Sequence, residues 1–146
     1  YKDIALDNEA LGYSFQDGKV NLAPDWEMSW AGGAGALYST IGDLFKWNEA
    51  VFNGRVLQET SLHAAFTPVK LNNGDEAQPA YGYGWMLGEF RGWKSVSHGG
   101  GLPGFITFLV RFPEQHVTIA VLTNASPPNQ LNPQQLAYDL AGMFLR

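Results

Sequence analysis

The strand-like pattern of residues 93–123, which three consecutive glycines interrupt, constrains the fold of this chain more than any other feature. Apolar residues recur at every second position over residues 106–112, so they share one face of a strand. Residues 117–123 are apolar on both faces, as in strands that are buried on both sides. Helices have to cover such a sheet on its front and its back. The sequence therefore predicts an α+β fold in which helices flank a sheet.

The covering helices are predicted from their start and stop signals. Thr40, with Asp43 three residues later, forms a capping pair. A shorter helix is expected over residues 59–66, before Pro68. The first of these helices is predicted to end at Asn53-Gly54 and to bury apolar residues that recur at helical spacing, namely Ile41, Leu44, Phe45, Val51 and Phe52.

The last helix has the clearest start signal. Asn132 is placed to cap it, Pro133 takes its first position, and Gln135 completes a capping box. Leu131 and Leu136 are expected to form a hydrophobic staple across this start. The buried stripe of the helix is predicted to consist of Leu136, Leu140, Met143 and Phe144.

The other segments carry weaker signals. Asp17-Gly18 predicts a tight hairpin. Residues 31–36, all glycine or alanine, are small enough for close backbone packing or for the floor of a cleft. Strand character returns at Tyr81, and both Tyr81 and Tyr83 are expected to pack on the sheet. Most of the tryptophans are expected to be buried.

Composition and spacing exclude several classes of function. The chain has no cysteine, which excludes disulfides, thiol nucleophiles and cysteine-based zinc sites. A net charge of -5 without a Lys/Arg cluster argues against nucleic acid as a partner. His63, His98 and His116 are too far apart for a metal-binding motif, and no phosphate-binding loop follows the glycines, so neither a metal nor a cofactor is expected. No apolar run is long enough to span a membrane.

The stretch from Ser97 through His98-Gly99-Gly100-Gly101 to Phe105 is the candidate site. Glycine weakens a strand and is common where a ligand approaches the main chain, while histidine adds a group that titrates near neutral pH. This combination indicates the wall of a binding cleft. A glycine-rich hairpin loop with an incidental histidine fits the same residues. The similar motif of α/β-hydrolase lipases is excluded, because no G-x-S-x-G follows it.

A series of short motifs resembles, in the same order, the C-terminal part of the serine β-lactamase-related family, which includes class C β-lactamases, D-aminopeptidases and related esterases. The resemblance implies the C-terminal portion of the serine β-lactamase and penicillin-binding-protein-like fold, an antiparallel sheet flanked by helices. The motifs begin at Gly12, Gly35, Tyr81, His98, Arg111 and Val121, and read GYSFQDG, GALYSTIGDL, YGYGW, HGGGLPGF, RFPE and VLTN.

The resemblance also implies roles for the glycine stretch. His98-Gly99-Gly100 matches the family motif Lys-Thr-Gly or His-x-Gly, which lies on a strand at the edge of the cleft. His98 is then expected to supply a hydrogen bond or positive charge to the substrate, and Gly99 and Gly100 are the expected substrate-binding positions. Gly100 would keep the strand edge clear for the acyl group. The N–H of Gly101 corresponds to an oxyanion donor. Histidine in place of lysine favours a peptidase or esterase over a β-lactamase.

Two further motifs of the family are missing from the sequence. No serine has a lysine three residues later, and no tyrosine has an asparagine two residues later. Residues 1–146, which begin abruptly at Tyr1, are therefore expected to be the C-terminal segment of a longer serine hydrolase. The absent N-terminal part would carry Ser-x-x-Lys and Tyr-x-Asn, so this chain alone is expected to be inactive.

Partners and location are expected from the same resemblance. The substrate is a small molecule or peptide that contains a β-lactam, a D-amino-acid amide or an ester. The chain is expected to associate with its N-terminal part, or with itself, through an unpaired sheet edge. A periplasmic or secreted location is expected. Two alternatives remain: a catalytically silent binding module that keeps the cleft wall, and an unrelated small α+β domain with a chance glycine-rich loop.

Overall fold

A computed structural model describes residues 7–126 and 132–145. Their helices and strands follow one another in the order β1 (Tyr13–Gln16), β2 (Lys19–Leu22), α1 (Ile41–Phe52), α2 (Glu59–Ala65), β3 (Met86–Phe90), β4 (Trp93–Leu102), β5 (Phe105–Phe112), β6 (Val117–Thr123), β7 (Ala125–Ser126) and α3 (Pro133–Phe144). The abrupt start at Tyr1 and the predicted contact of Leu131 lie outside the described residues. None of the described helices is both long enough and apolar enough to cross a membrane.

The main sheet has the strand order β3-β4-β5-β6, and each neighbouring pair is antiparallel. Arg91-Gly92 joins β3 to β4, and Pro103-Gly104 joins β4 to β5. Arg91, Gly92 and Gly104 all have positive φ, which tight hairpin turns require. Because helices also cover this sheet, the predicted α+β fold with an antiparallel sheet flanked by helices is confirmed.

The two faces of the main sheet are covered by different helices. On one face, α3 packs against β5 and β6. On the other face, α1 packs against β6 and meets Arg111 of β5. The α3 face holds the main apolar cluster, which contains Phe108, Val110, Phe112, Val121, Ala137, Ala141 and Leu145. The prediction that helices lie on both faces of the sheet is therefore confirmed.

Helix α1 starts and ends as its sequence predicts. Thr40 accepts a hydrogen bond from the backbone N–H of Asp43 at 3.1 Å, and Asn53 follows the last turn. The pKa of the Asp43 carboxyl lies below its usual value, because Lys46 and Thr40 donate hydrogen bonds to it. Its predicted buried stripe is only partly correct. Ile41 and Phe45 are exposed, because the described residues cover the helix mainly through its second half.

Helix α3 begins at Pro133 behind the predicted cap, whose Oδ1 accepts from two backbone N–H groups. Its predicted buried stripe is wrong at three positions, since Leu136, Met143 and Phe144 are exposed and only Leu140 is half-buried. The helix instead buries Ala137 and Ala141. Small residues let it approach a sheet that already presents large side chains, and interdigitation requires this match of large to small.

A small sheet with the order β2-β1-β7 joins the β1–β2 hairpin to the segment that follows β6. Its Asp17-Gly18 hairpin is confirmed. Gly12 lies against Gly104 at the tip of the β4–β5 hairpin, and Gly104 donates its N–H to Ser126 Oγ at 2.8 Å. The close packing predicted for residues 31–36 is not observed. They include a short 3-10 turn over Gly32–Ala34 and are largely exposed.

Candidate functional site

The glycine triplet lies inside strand β4 and not in a hairpin loop. Gly99, Gly100 and Gly101 pair with Phe108, Thr107 and Ile106 of β5, and the chain turns only after Leu102. The hairpin-loop interpretation of this stretch is therefore wrong. The histidine and the glycines instead form one continuous extended segment.

The second half of β4 is an open strand edge within the part of the chain that the structure describes. The pairing of β3 with β4 starts at Phe90 and Trp93 and stops at Met86 and Ser97. Strand β5 continues to pair with β4 as far as Leu102. Residues 98–102 therefore have a strand neighbour on one side only. An edge of this kind offers backbone N–H and C=O groups to a bound molecule.

The register determines which N–H groups this edge offers. Trp93 closes the two-residue β3–β4 turn, and Leu102 closes the β4–β5 turn. Residues that close such turns are hydrogen-bonded pairs, and these pairs alternate along antiparallel strands. Trp93 therefore bonds towards β3, and Leu102 towards β5. By the same alternation, the N–H groups of Gly99 and Gly101 point away from β5, towards the open edge.

His98 lies on the face of the sheet that α1 covers, and it is exposed. Its Nε2 is 2.8 Å from the hydroxyl oxygen of Tyr81. The two rings meet edge to face, with their centroids 6.0 Å apart. The hydrogen bond joins the histidine of the glycine stretch to the turn that precedes β3.

Sequence reasoning missed this role of Tyr81. The tyrosine belongs to a recognised motif, Tyr81-Gly82-Tyr83-Gly84-Trp85, but it was expected to pack on the sheet along with Tyr83. The expectation is wrong for Tyr83, which is 69% exposed. Tyr81 does contact the sheet, because its ring and its hydroxyl meet His98 of β4. The predicted strand from Tyr81 is also shorter than expected, since β3 starts at Met86. Gly82 and Gly84 are the signal that could have indicated a turn before β3.

The glycines of the triplet differ in the space around them. A Cβ on Gly100 would lie 3.1 Å from Thr107 Oγ1, and one on Gly99 would lie 3.4 Å from the Phe108 ring. At Gly101 the nearest atom would be 3.9 Å away, so this position has room for a methyl group. Strand packing thus disfavours a side chain at Gly100, whereas Gly101 tolerates alanine.

Most of the tryptophans are exposed or half-buried, so the prediction that most of them are buried is wrong. Only Trp85 is buried, at 8% exposure, stacked on Trp47 with ring centroids 5.7 Å apart. Trp26, Trp30 and Trp47 are exposed, and Trp93 is half-buried. The described part of the chain leaves the exposed tryptophans uncovered.

The other two histidines lie on the surface, His63 on α2 and His116 in the turn after β5. Among the described residues, no three side chains of the metal-binding types come close enough to hold a metal ion. The chemistry that the site can perform therefore comes from one histidine, one tyrosine and the backbone donors of an open strand edge.

Three comparisons place the chain among known proteins. The profile of the family described as Beta-lactamase matches residues 4–143. The sequence is 36% identical over 94 residues to penicillin-binding protein 4* of Bacillus subtilis, an alignment that covers 63% of this chain and 20% of that protein.

Two solved structures share the fold. A D-amino acid amidase from Ochrobactrum anthropi, complexed with L-phenylalanine amide, superimposes on 94% of this chain and 43% of its own with a TM-score of 0.72 at 22% identity. A D-stereospecific amidohydrolase from Streptomyces superimposes on 82% of this chain and 36% of its own, with a TM-score of 0.68 at 25% identity. The chain spans about a fifth to a quarter of the length of the curated relatives that it matches.

Proposed function

This chain belongs to the β-lactamase family of serine hydrolases. We propose that it supplies one wall of an active site that acts through an acyl-enzyme on an amide or ester. Residues 1–146 would form the C-terminal segment of the catalytic domain. The observation that carries the proposal is the open edge of β4, where an exposed histidine and outward-pointing backbone donors occur within four residues.

The N–H of Gly101 is the proposed oxyanion donor of this wall. Alternation along β4 directs it towards the open edge, where no strand of the described chain competes for it. A donor that is held in place before the reaction stabilises the negative charge that develops on the carbonyl oxygen. The nucleophile's own N–H would supply the second donor.

His98 is the proposed substrate-facing side chain. Its ring stands two residues before Gly100 on the same face of β4, so a carbonyl compound held along the edge would meet both. Gly99 and Gly100 would then contact the acyl part through their backbone. The tight fit of Gly100 against Thr107 gives this position a reason to be glycine even without substrate.

The substrate class that we propose is an amide or ester of a D-amino acid, with β-lactams as related acyl donors. The named activities of two fold relatives, a D-amino acid amidase and a D-stereospecific amidohydrolase, support this class. The match to a penicillin-binding protein supports the β-lactam as a second class. We propose a periplasmic or secreted location on the same grounds.

The nucleophile would come from a segment outside this sequence, which has no Ser-x-x-Lys. Intact-mass analysis after incubation with a penicillin and a fluorophosphonate probe tests this. We expect the 16.0 kDa chain to remain unmodified, and the longer protein that includes the upstream serine to gain one adduct. An adduct on the 146-residue chain would contradict the proposed division of the site.

Two variants at one position test the proposed oxyanion donor. Gly101→Pro removes the N–H, and Gly101→Ala keeps it in a position that has room for a methyl group. In the protein that includes the nucleophile, we expect Gly101→Pro to lower kcat by roughly 10²–10³ and Gly101→Ala to leave it within about threefold of the parent. Steady-state hydrolysis of a D-phenylalanine amide measures both. Equal losses in both variants would refute the donor role.

A catalytically silent binding module is the second candidate, because neither Ser-x-x-Lys nor Tyr-x-Asn occurs in the sequence. Such a module would bind a D-amino-acid amide through the same edge without turning it over. Saturable binding to the longer protein without any adduct or hydrolysis would favour this candidate.

We propose that the outer edge of β6 is the docking edge for the N-terminal part of the protein, or for a second copy. Strand β6 ends the sheet order among the described residues, and Leu122 on it is exposed. Unpaired edges of this kind recruit another strand. Light scattering of the isolated chain should show a mass above 16.0 kDa that rises with concentration. A constant monomer mass at high concentration, with no partner present, would count against this proposal.

A further inference from the structure

We propose that Tyr81 is a positioning residue for His98: its hydroxyl donates to Nε2, fixes the ring, and holds the hydrogen of the neutral imidazole on Nδ1. The 2.8 Å hydrogen bond between the two side chains carries this inference. The consequence for substrate recognition rests on the proposed function, in which His98 faces the substrate. The tautomer itself can be tested without any activity.

The backbone of Tyr81 is held on both sides. Its carbonyl oxygen accepts a hydrogen bond from Val69 N at 2.8 Å, and the residue forms an isolated bridge with Met86 at the start of β3. The next residue, Gly82, donates its N–H to Trp85 O at 2.8 Å. The hydroxyl is therefore presented by a fixed turn and not by a free loop.

The same turn is locked onto helix α2 at a point of very close approach. Tyr83 N donates to Ala65 O at 3.0 Å, the carbonyl near the end of α2. A Cβ on Gly82 would lie 2.0 Å from that oxygen, so only glycine fits there. Trp85 anchors the end of the turn, because it is buried against Trp47 and Phe66. These contacts define where the Tyr81 ring starts.

The direction of the hydrogen bond follows from the chemistry of the two groups. A phenol is a better donor than acceptor, because its oxygen lone pair is delocalised into the ring, and an unprotonated imidazole nitrogen is a good acceptor. When the hydroxyl donates to Nε2, the hydrogen of the neutral ring must sit on Nδ1. No group among residues 7–126 and 132–145 hydrogen-bonds to Nδ1, so its N–H is available to a ligand.

This arrangement gives the site a donor of defined direction. Without Tyr81, the ring can rotate about its side-chain bonds, and the hydrogen can occupy either nitrogen. In many sites, a hydrogen bond to one ring nitrogen of a histidine orients the ring and sets which nitrogen carries the hydrogen. Tyr81 would thus act on the substrate through His98 and never touch it.

Two conservative variants of neighbouring tyrosines test the proposal in the 146-residue chain. Tyr81→Phe removes the hydroxyl that reaches His98. Tyr83→Phe is the control, because it removes a hydroxyl from a residue that is 69% exposed. Two-bond ¹H–¹⁵N spectra of the neutral imidazole report which ring nitrogen carries the hydrogen. Thermal melting of all three proteins shows whether the fold is retained.

We expect the parent chain and Tyr83→Phe to show the Nδ1–H form. Tyr81→Phe should show mainly the Nε2–H form, which free histidine prefers in water. An Nε2–H form in the parent, or an unchanged tautomer in Tyr81→Phe, would overturn the proposal. If Tyr81→Phe fails to fold, the spectrum of the parent still decides, because the proposal requires Nδ1–H there.

Activity of the longer protein separates this inference from the proposed function. We expect Tyr81→Phe to lower kcat by about tenfold, the scale of one lost hydrogen bond, and Tyr83→Phe to leave it unchanged. A tautomer change with no hydrolysis by the parent protein would refute the proposed function and leave the positioning role standing. A tautomer change with unaltered kcat in an active parent would refute the role in catalysis.

Discussion

Replacement of Glu49 by alanine is expected to lower the free energy of unfolding by about 3 kcal/mol, because it leaves the charge of Arg111 buried without a partner. Arg111 is 1% exposed, and its Nη1 is paired with Glu49 Oε1 across the α1 face of the sheet. Breaking one side of a buried pair typically costs about 3–5 kcal/mol. The lower end applies here, since 34% of the Glu49 side chain is exposed to water.

The remaining contacts of Arg111 cannot replace the carboxylate. Nη1 donates to Thr118 Oγ1 at 2.7 Å, and Thr118 in turn donates to Asn48 Oδ1 at 2.9 Å. The guanidinium also lies over the Phe52 ring at 5.3 Å. These groups are neutral, whereas Arg111 Nε is already buried without a hydrogen-bond partner. Among the described residues, Glu49 is the one carboxylate paired with Arg111, so the network holds α1 on the sheet only while Glu49 is present.

Urea unfolding of four proteins measures this effect. The double variant Glu49→Ala, Arg111→Met should be more stable than Glu49→Ala alone, because it removes the unpaired charge along with its partner. Lys46→Ala is the control on the same helix: it removes an exposed ion pair with Asp43, and its unfolding midpoint should stay at that of the parent. A single Glu49 variant as stable as the double variant would contradict the argument.

The elements that the sequence predicted well are those whose signals are local. The cap of α1 at Thr40, the Asp17-Gly18 hairpin and the alternation over β5 each depend on residues within a few positions of one another. Such patterns act through the backbone of one segment and need no knowledge of what packs on it. The antiparallel order of the sheet came from the family resemblance and not from these local patterns.

The parts that the sequence could not predict depend on contacts between distant segments. The buried face of α3 was assigned to its large residues, but the sheet supplies bulk there and the helix supplies Ala137 and Ala141. Arg111 and Glu49 are 62 positions apart, so no pattern in either segment announces their pair. Tyr81 and His98 are 17 positions apart and meet only because β3 and β4 pair as they do.

The exposure of large apolar side chains is the largest difference between the burial that the sequence predicts and the burial in the structure. Burial was expected for most tryptophans and for the stripes of α1 and α3, yet Trp30 is 81% exposed and Phe144 is 71% exposed. A soluble monomer rarely leaves so many large apolar residues uncovered. This exposure supports the proposal that another segment or chain packs on these surfaces.

Replacement of Gly104 by alanine is expected to lower the free energy of unfolding by roughly 2–5 kcal/mol, the sum of a backbone and a packing cost. Gly104 has a φ of +82° at the tip of the β4–β5 hairpin, and a Cβ there would lie 2.6 Å from Ala23 Cβ and 2.7 Å from Gly12 Cα. The left-handed backbone costs about 1–2 kcal/mol for alanine, and the overlap adds about 1–3 kcal/mol because the neighbour is main chain that cannot rotate away.

Gly18→Ala separates the two costs, since its φ is +74° and no atom lies within 4 Å of the new Cβ. Urea unfolding should therefore show a loss of about 1–2 kcal/mol for Gly18→Ala and a clearly larger one for Gly104→Ala, whereas equal losses would mean that the hairpin tip does not press on Gly12.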